Sequence, residues 1–291
     1  MTEFLQVLLN GLVIGSLYVL VAVGFTLIFG VMGVMNVAQA DFYALGAFVM
    51  IWLSVNAGLG LVVGAIVGML SGIAFGLLYY TLVLSRLGEK DFLAAFLASV
   101  GVSYFIENLL TSVVGSQGQA VPALLPDTFH TWFGLVISNP QLLLLGCTIV
   151  ITVALLIVLS RTPFGRDVRA IAESRFLAAA SGVNVRGVMI GSVVIASVIA
   201  TIGGVLVSST TLTITPFSGG DVVLQMFVVA IVAGMGSVGG AAIAGFGLGI
   251  VESLTVNYWN SEWEMVSGLL VMVVVLIFRP QGLFGKRVRI G

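Results

Sequence analysis

Charge, cysteine and histidine are scarce in this sequence. Asp, Glu, Lys and Arg make up 8% of the 291 residues and hydrophobic residues make up 59%. A soluble globular domain carries about 25% charged residues. The shortage excludes a soluble domain and implies an integral membrane protein. The single cysteine, Cys147, excludes an intrachain disulfide, and its place within an apolar run marks it as a packing residue. The single histidine, His130, is far from Cys147 in sequence, so the clustered ligands of a metal site are missing. It also falls in a polar segment, whereas a membrane serine hydrolase needs its histidine at depth. No G-x-x-x-x-G-K-[ST] stretch occurs, so the chain has no nucleotide-phosphate loop. These absences argue against an enzyme and against any cofactor or metal held by the chain.

The eleven basic residues fall in three windows: Arg86 and Lys90; Arg161, Arg166, Arg169, Arg175 and Arg186; and Arg279, Lys286, Arg287 and Arg289. Lys and Arg mark the cytoplasmic side in short loops. The segments between the windows carry Glu3, Asp127, Asp221, Glu262 and Glu264, with Trp132, Trp259 and Trp263 suited to an interfacial belt. The expected architecture is all-α, a single transmembrane domain over 1–291 with the N-terminus outside and the C-terminus cytoplasmic. A crossing takes about 20 apolar residues. Crossings are expected at 4–29, 41–56, 59–85, 92–114, 141–160, 188–210, 222–236, 240–257 and 264–279. That makes about eight or nine, some short or broken, with a periplasmic loop at 115–139. The opening MTEFLQVLLNGLVIG has no basic region and reads as a first membrane helix, not a cleaved signal.

Gly60, Gly64, Gly68, Gly72 and Gly76 repeat every four residues, which predicts a ridge where a neighbouring backbone approaches closely. Gly11 with Gly15, Gly187 with Gly191, and Gly245 with Gly249 repeat the device. Two stretches interrupt the apolar pattern: Gly30 to Asp41, and Gly234-Met235-Gly236-Ser237-Val238-Gly239-Gly240. Broken backbone at depth needs protein or a wet cavity around it, and paired interruptions point to a translocation path. A tight cytoplasmic turn would give the same pattern. The second stretch also fits G-x-G-x-x-G, but no strand precedes it and no βαβ unit surrounds it. Three acids remain in the apolar region, Asp41, Glu107 and Glu252, and no basic residue lies within a span to pair with them. Candidates for the path are Asn36, Gln39, Asp41, Glu107, Ser237 and Glu252.

The one long polar segment is 161–187. Phe164, Val168, Ile171, Ala172, Phe176, Ala179, Ala180 and Val183 are spaced as one apolar stripe, with Arg166, Arg169 and Glu173 on the other side. Thr162-Pro163 opens this helix and Gly182 ends it. It reads either as a basic loop on anionic lipid or as a helix gripped by a cytoplasmic partner.

These stretches resemble the inner-membrane permeases of the high-affinity branched-chain amino-acid ABC importers, the LivH type. The similarity runs through Gly15-Ser16-Leu17-Tyr18, Gly24 to Met32, Asn36 to Asp41, Gly165-Arg166 to Gly182-Val183, Gly234 to Gly240, and Phe278-Arg279-Pro280-Gln281-Gly282-Leu283-Phe284-Gly285. Gln39 and Ala40 depart from the family's Asn-x-Ala-His-Gly form. The resemblance implies a half-channel that pairs with a second homologous permease, two cytoplasmic ATPases that bind ATP and Mg, and a periplasmic binding protein, with no nucleic-acid partner. It implies the bacterial inner membrane, with lipid around the chain. It also implies that Phe164, Arg166, Arg169, Ile171, Glu173, Phe176 and Gly182 couple the chain to an ATPase. Urea and short-chain amide permeases share the motifs. An ion-coupled secondary transporter using Glu107 or Glu252, and a passive channel for a small neutral solute, are the other readings.

Overall fold

The computed structural model describes residues 2–87, 92–132 and 134–285. Lys90, Lys286, Arg287 and Arg289 of the basic windows lie outside the described residues.

Helices carry most of the described chain, as a lipid environment requires of backbone that must satisfy its own polar groups. They are α1 (Thr2–Met32), α2 (Gln39–Ile51), α3 (Leu61–Leu82), α4 (Phe92–Val114), α5 (Asn139–Arg161), α6 (Pro163–Glu173), α7 (Arg175–Ala180), α8 (Val185–Thr211), α9 (Ser218–Ala233), α10 (Val238–Tyr258) and α11 (Glu264–Phe278). A π-helical turn, Trp52–Asn56, extends α2. Four short strands pair at the loops: β1 (Gln119–Ala120) with β4 (Thr213–Ile214), and β2 (Phe129–Trp132) with β3 (Leu135–Ser138), both antiparallel. Among the described residues, seven helices are long and apolar enough to cross a membrane, while α2 and α9 are shorter. The segments expected at 41–56 and 222–236 are these two short helices.

The two ends of the bundle are distinct. At one, Gln6 donates to the Val136 carbonyl at 2.9 Å, so α1 starts beside the β2–β3 hairpin, and β1–β4 joins the loops that follow α4 and α8. At the other, Leu283 N–H donates to Val232 at 2.8 Å and Phe284 N–H to Ala233 at 2.9 Å, which ties the C-terminal segment to the end of α9. The described chain therefore begins at the hairpin end and finishes at the opposite one.

The core is made by α1, α2, α8, α9 and α10, while α4, α5 and α11 turn much of their surface outward. Tyr104, Val150 and Ile277 are exposed examples. Close backbone approach holds the core. A Cβ on Gly64, Gly68, Gly72 or Gly76 would come within 2.9 Å of Met50 O, 2.7 Å of Gly46 O, 2.6 Å of Val198 Cα and 2.9 Å of Val194 Cα. The ridge on α3 therefore packs on α2 and α8 of the same chain. Gly60 is not part of it: it precedes α3 with φ +81° and nothing within 4 Å of its Cβ position. The first helix meets α10 in the same manner, Gly11 against Ile250 and Gly15 against Phe246.

Candidate translocation path and coupling segment

Both short helices begin inside the bundle. Gln39, the first residue of α2, donates its side-chain amide to the Ala196 carbonyl at 2.8 Å and lies against Gly24. Gly24 stands eight residues before the end of α1, about 12 Å along the axis at ~1.5 Å per residue. The 33–38 segment thus climbs back into the bundle before α2 starts. Ser99 on α4 satisfies part of this irregular backbone, since its hydroxyl accepts from Val37 N–H at 3.1 Å and lies 3.3 Å from the Met35 carbonyl. The start of α9 meets α2 here: a Cβ on Gly219 would lie 2.8 Å from Asp41 Cα and 3.0 Å from Ala40 O. Two discontinuous helices thus share one origin in the interior. The first turn of α2 is closed by its own loop, Ala40 N–H to Val37 and Asp41 and Phe42 N–H to Ala38, while at α9 Ser218 and Asp221 are bonded in the same way. The helix starts remain partly positive, an arrangement found where transporters hold ionic substrates.

Carboxylates gather at that origin. Asp41 is fully buried, and neither of its oxygens has a hydrogen-bond partner among the described residues. Its Oδ1 lies 2.4 Å from where a Gly219 Cβ would be. Ser103 and Glu107 face it from α4, with the Ser103 hydroxyl close enough to act on the Asp41 carboxyl. Glu107 is half-buried, and its Oε1 lies 3.0 Å from the Cβ position of Gly220. Asp221, exposed at the next position, is close enough to act on the Glu107 charge.

Four of the six path candidates therefore lie on or beside this origin. Asp41 and Glu107 converge. Gln39 sits between α1 and α8 with its Oε1 unpartnered, and Asn36 is fully buried with both amide atoms unpartnered. The other two are elsewhere. Ser237 caps α10, accepting from Gly240 N–H at 3.2 Å near the opposite end. Glu252 accepts a 2.5 Å hydrogen bond from Tyr18 in the α1–α10 seam. The two interrupted stretches meet where Gly30, at the start of the first, lies against Gly236. Sequence reasoning missed Ser99, Ser103, Gly219 and Gly220, and it assigned Asp221 to the outer face alone. Ser99, Ser103 and Glu107 recur every four residues along one helix face, a signal that was available.

The polar segment 161–187 is two helices, not the single helix expected over 164–183. Ser174 adopts extended backbone, φ −161° and ψ 113°, and accepts from Leu177 N–H at 3.3 Å. Serine readily trades helix continuity for such a cap. The break divides the apolar stripe. On α6, Val168 and Ile171 are buried within the chain and the Phe164 ring lies against Gly191. On α7, Phe176 is 80% exposed and Leu177 64% exposed. Ala172, Ala179 and Ala180 are also exposed. Arg166, Arg169 and Glu173 face outward on α6, and Gly182 follows α7 with φ +84°. Arg169 donates to the Leu159 carbonyl and Arg175 to that of Met32. These bonds fix the two helices to the ends of α5 and α1.

The comparisons with known proteins agree with this architecture. The family described as branched-chain amino acid transport system / permease component matches residues 7–277. The chain is 30% identical over 301 residues to the high-affinity branched-chain amino acid transport system permease protein LivH of Escherichia coli K12, covering 97% of this chain and 96% of that one. It is 29% identical over 296 residues to the corresponding protein BraD of Pseudomonas aeruginosa, covering 98% and 96%. Among solved structures, PsaBC from Streptococcus pneumoniae in complex with Fab shares the fold, with a TM-score of 0.52 at 17% identity, covering 96% of this chain and 93% of that one. The chain is a multi-pass membrane protein and a transport subunit, not an enzyme, and it belongs to the branched-chain amino acid transport system permease family.

Proposed function

We propose that this chain forms half of the path by which an ABC importer carries branched-chain amino acids across the bacterial inner membrane. The carrying observation is the common origin of α2 and α9. Asp41 is buried there while Gly220 and Asp221 are exposed and Glu107 is half-exposed, so the polar cluster reaches the surface of the single chain. A second, homologous permease closes the path against that surface. Two cytoplasmic ATPases bind ATP and Mg and drive the pair, and a periplasmic binding protein delivers the substrate. Arg86, Arg161 to Arg186 and Arg279 lie at the α6–α7 end, so that end is cytoplasmic and the hairpin end periplasmic. Phe176 and Leu177 on α7 are the apolar surface offered to an ATPase, with Arg166, Arg169 and Glu173 around it.

The test is uptake by proteoliposomes holding the co-purified complex and binding protein, scanned over leucine, valine, phenylalanine and urea. ATP-dependent uptake of leucine and valine supports the proposal. Uptake of urea alone replaces the substrate class. Uptake that follows a proton gradient without ATP replaces the mechanism with an ion-coupled one.

A further inference from the structure

One helical turn beyond Asp41 and Glu107, a crevice of about 400 Å³ opens between α4 and α2 with its π-helical extension, which contributes Trp52, Leu53 and Asn56. Leu45, Phe48 and Val49 form one wall, Leu110 and Val113 the other, and Gln119 stands at the rim. Leu45 is four residues beyond Asp41, and Leu110 is three beyond Glu107. Each pair shares a helix face one turn apart, so the carboxylates follow the apolar walls along the same two helices. The volume falls in the range of small-molecule pockets, about 300–1,000 Å³. The crevice itself is apolar apart from Asn56 and Gln119, and Asp41 and Glu107, with the start of α9 against them, lie one helical turn further along α2 and α4.

We propose that this junction is a substrate subsite for an aliphatic α-amino acid. It rests on the transport reading above and adds where, and by which groups, the substrate is held. The branched side chain lies between Leu45 and Leu110. The ammonium group pairs with Asp41 and Glu107, giving the buried Asp41 carboxylate, which has no cation beside it among the described residues, a counter-charge. The α-carboxylate takes the amides at Gly219 and Gly220. The lack of side chains at these two positions lets the Asp41 and Glu107 carboxyls lie against the helix start, where a Cβ would meet them at 2.4 and 3.0 Å.

The test uses the complete complex carrying Cys147→Ser and Leu45→Cys, with the rate of N-ethylmaleimide labelling as readout. L-Leucine should slow labelling several-fold. 4-Methylpentanoate, which lacks the ammonium group, and 3-methylbutylamine, which lacks the carboxylate, should protect far less, and glycine should not protect. Asp41→Asn should abolish protection. Glu107 is half-exposed, so Glu107→Gln keeps the fold and decides the matter if the Asp41 variant does not assemble. It should narrow the discrimination between leucine and 4-methylpentanoate, which a purely structural residue would not change. Equal protection by leucine and 4-methylpentanoate, or protection unchanged in Glu107→Gln, overturns the subsite. ATP-driven leucine uptake by the same preparation without any leucine protection also overturns it, and leaves the transport reading standing. Uptake of urea in place of leucine overturns that reading instead.

Discussion

Tyr18 and Glu252 are joined by a 2.5 Å hydrogen bond between α1 and α10, with the carboxylate 1% exposed and the tyrosine 5%. Helix α11 closes over the pair, since a Cβ on Gly268 would lie 3.1 Å from Glu252 Oε1. One residue further, the Ser253 hydroxyl donates to the Val7 carbonyl at 2.8 Å. Polar bonds thus alternate with glycine contacts along one seam. Glu252 was a candidate for the path, and its partner and burial give it a different task, that of joining two helices at fixed register.

Removing the phenol should expose the cost of the buried acid. Tyr18→Phe leaves Glu252 without its donor, and an unsatisfied buried group costs about 1–3 kcal/mol, more when charged. The variant should melt earlier in detergent than the parent. Glu252→Gln keeps an acceptor for Tyr18 and should lose less. Leucine uptake by Glu252→Gln should remain ATP-dependent and indifferent to a proton gradient. Loss of uptake in that variant, together with a parent rate that tracks the gradient, would make Glu252 an ion site.

The glycines of α3 separate close contact from mere composition. Gly72→Ala pushes a methyl toward Val198 Cα, the Ser197 carbonyl and the Thr201 hydroxyl, each 2.6 Å from its position. Overpacking of this kind costs about 1–3 kcal/mol. Gly101→Ala on α4 and Gly146→Ala on α5 meet nothing within 4 Å. Both should hold or raise stability, because alanine favours a helix over glycine by about 1 kcal/mol. Thermal unfolding of the three variants checks the order. A Gly72→Ala melting point equal to the parent's would show that α3 can move away from α8 at no cost.

The helical class and the crossings were legible because apolar runs and basic windows are long-range patterns that tertiary packing does not rearrange. The glycine ridge was legible from spacing, but its neighbours were not, since spacing does not say which helix approaches. Asp41 and Glu107 stood out as acids in apolar sequence. Their convergence depends on where α2 and α9 begin, and no local signal records that a helix starts inside a bundle. The apolar stripe of 164–183 misled for a related reason. Its periodicity is continuous through Ser174, yet one capping serine turns Phe176 away from Ile171.

Membrane orientation follows from the basic residues and is directly measurable. Cysteines placed at Thr2 and Ser181 in a Cys147→Ser background should label from opposite sides with an impermeant maleimide. Thr2 lies by the hairpin at Gly134, and Ser181 ends α7 at the other end of the bundle. Periplasmic labelling of the first and cytoplasmic labelling of the second is expected. The reverse pattern would put α7 on the wrong side for an ATPase.

Ile171 and Phe176 belong to one stripe in sequence and to two different surfaces in the fold, so their truncations should fail differently. Ile171 is 2% exposed and packs within the chain. Ile171→Ala removes buried methylenes and should cost about 2–5 kcal/mol of stability, with less folded permease recovered. Phe176 is 80% exposed, so little of its ring is held by the described chain. Phe176→Ala should leave the melting point unchanged. If α7 docks on an ATPase, Phe176 is its anchor, and truncating such an anchor costs on the order of 2 kcal/mol of association. The ATPases should then be lost during purification, and stimulation of ATP hydrolysis by loaded binding protein should disappear. An Arg166→Ala, Arg169→Ala pair should do less, because exposed charges contribute mainly to encounter and are screened by salt. Wild-type ATPase retention in Phe176→Ala, with failure confined to the arginine pair and relieved at low salt, would assign the segment to an electrostatic contact and remove α7 as the docking element.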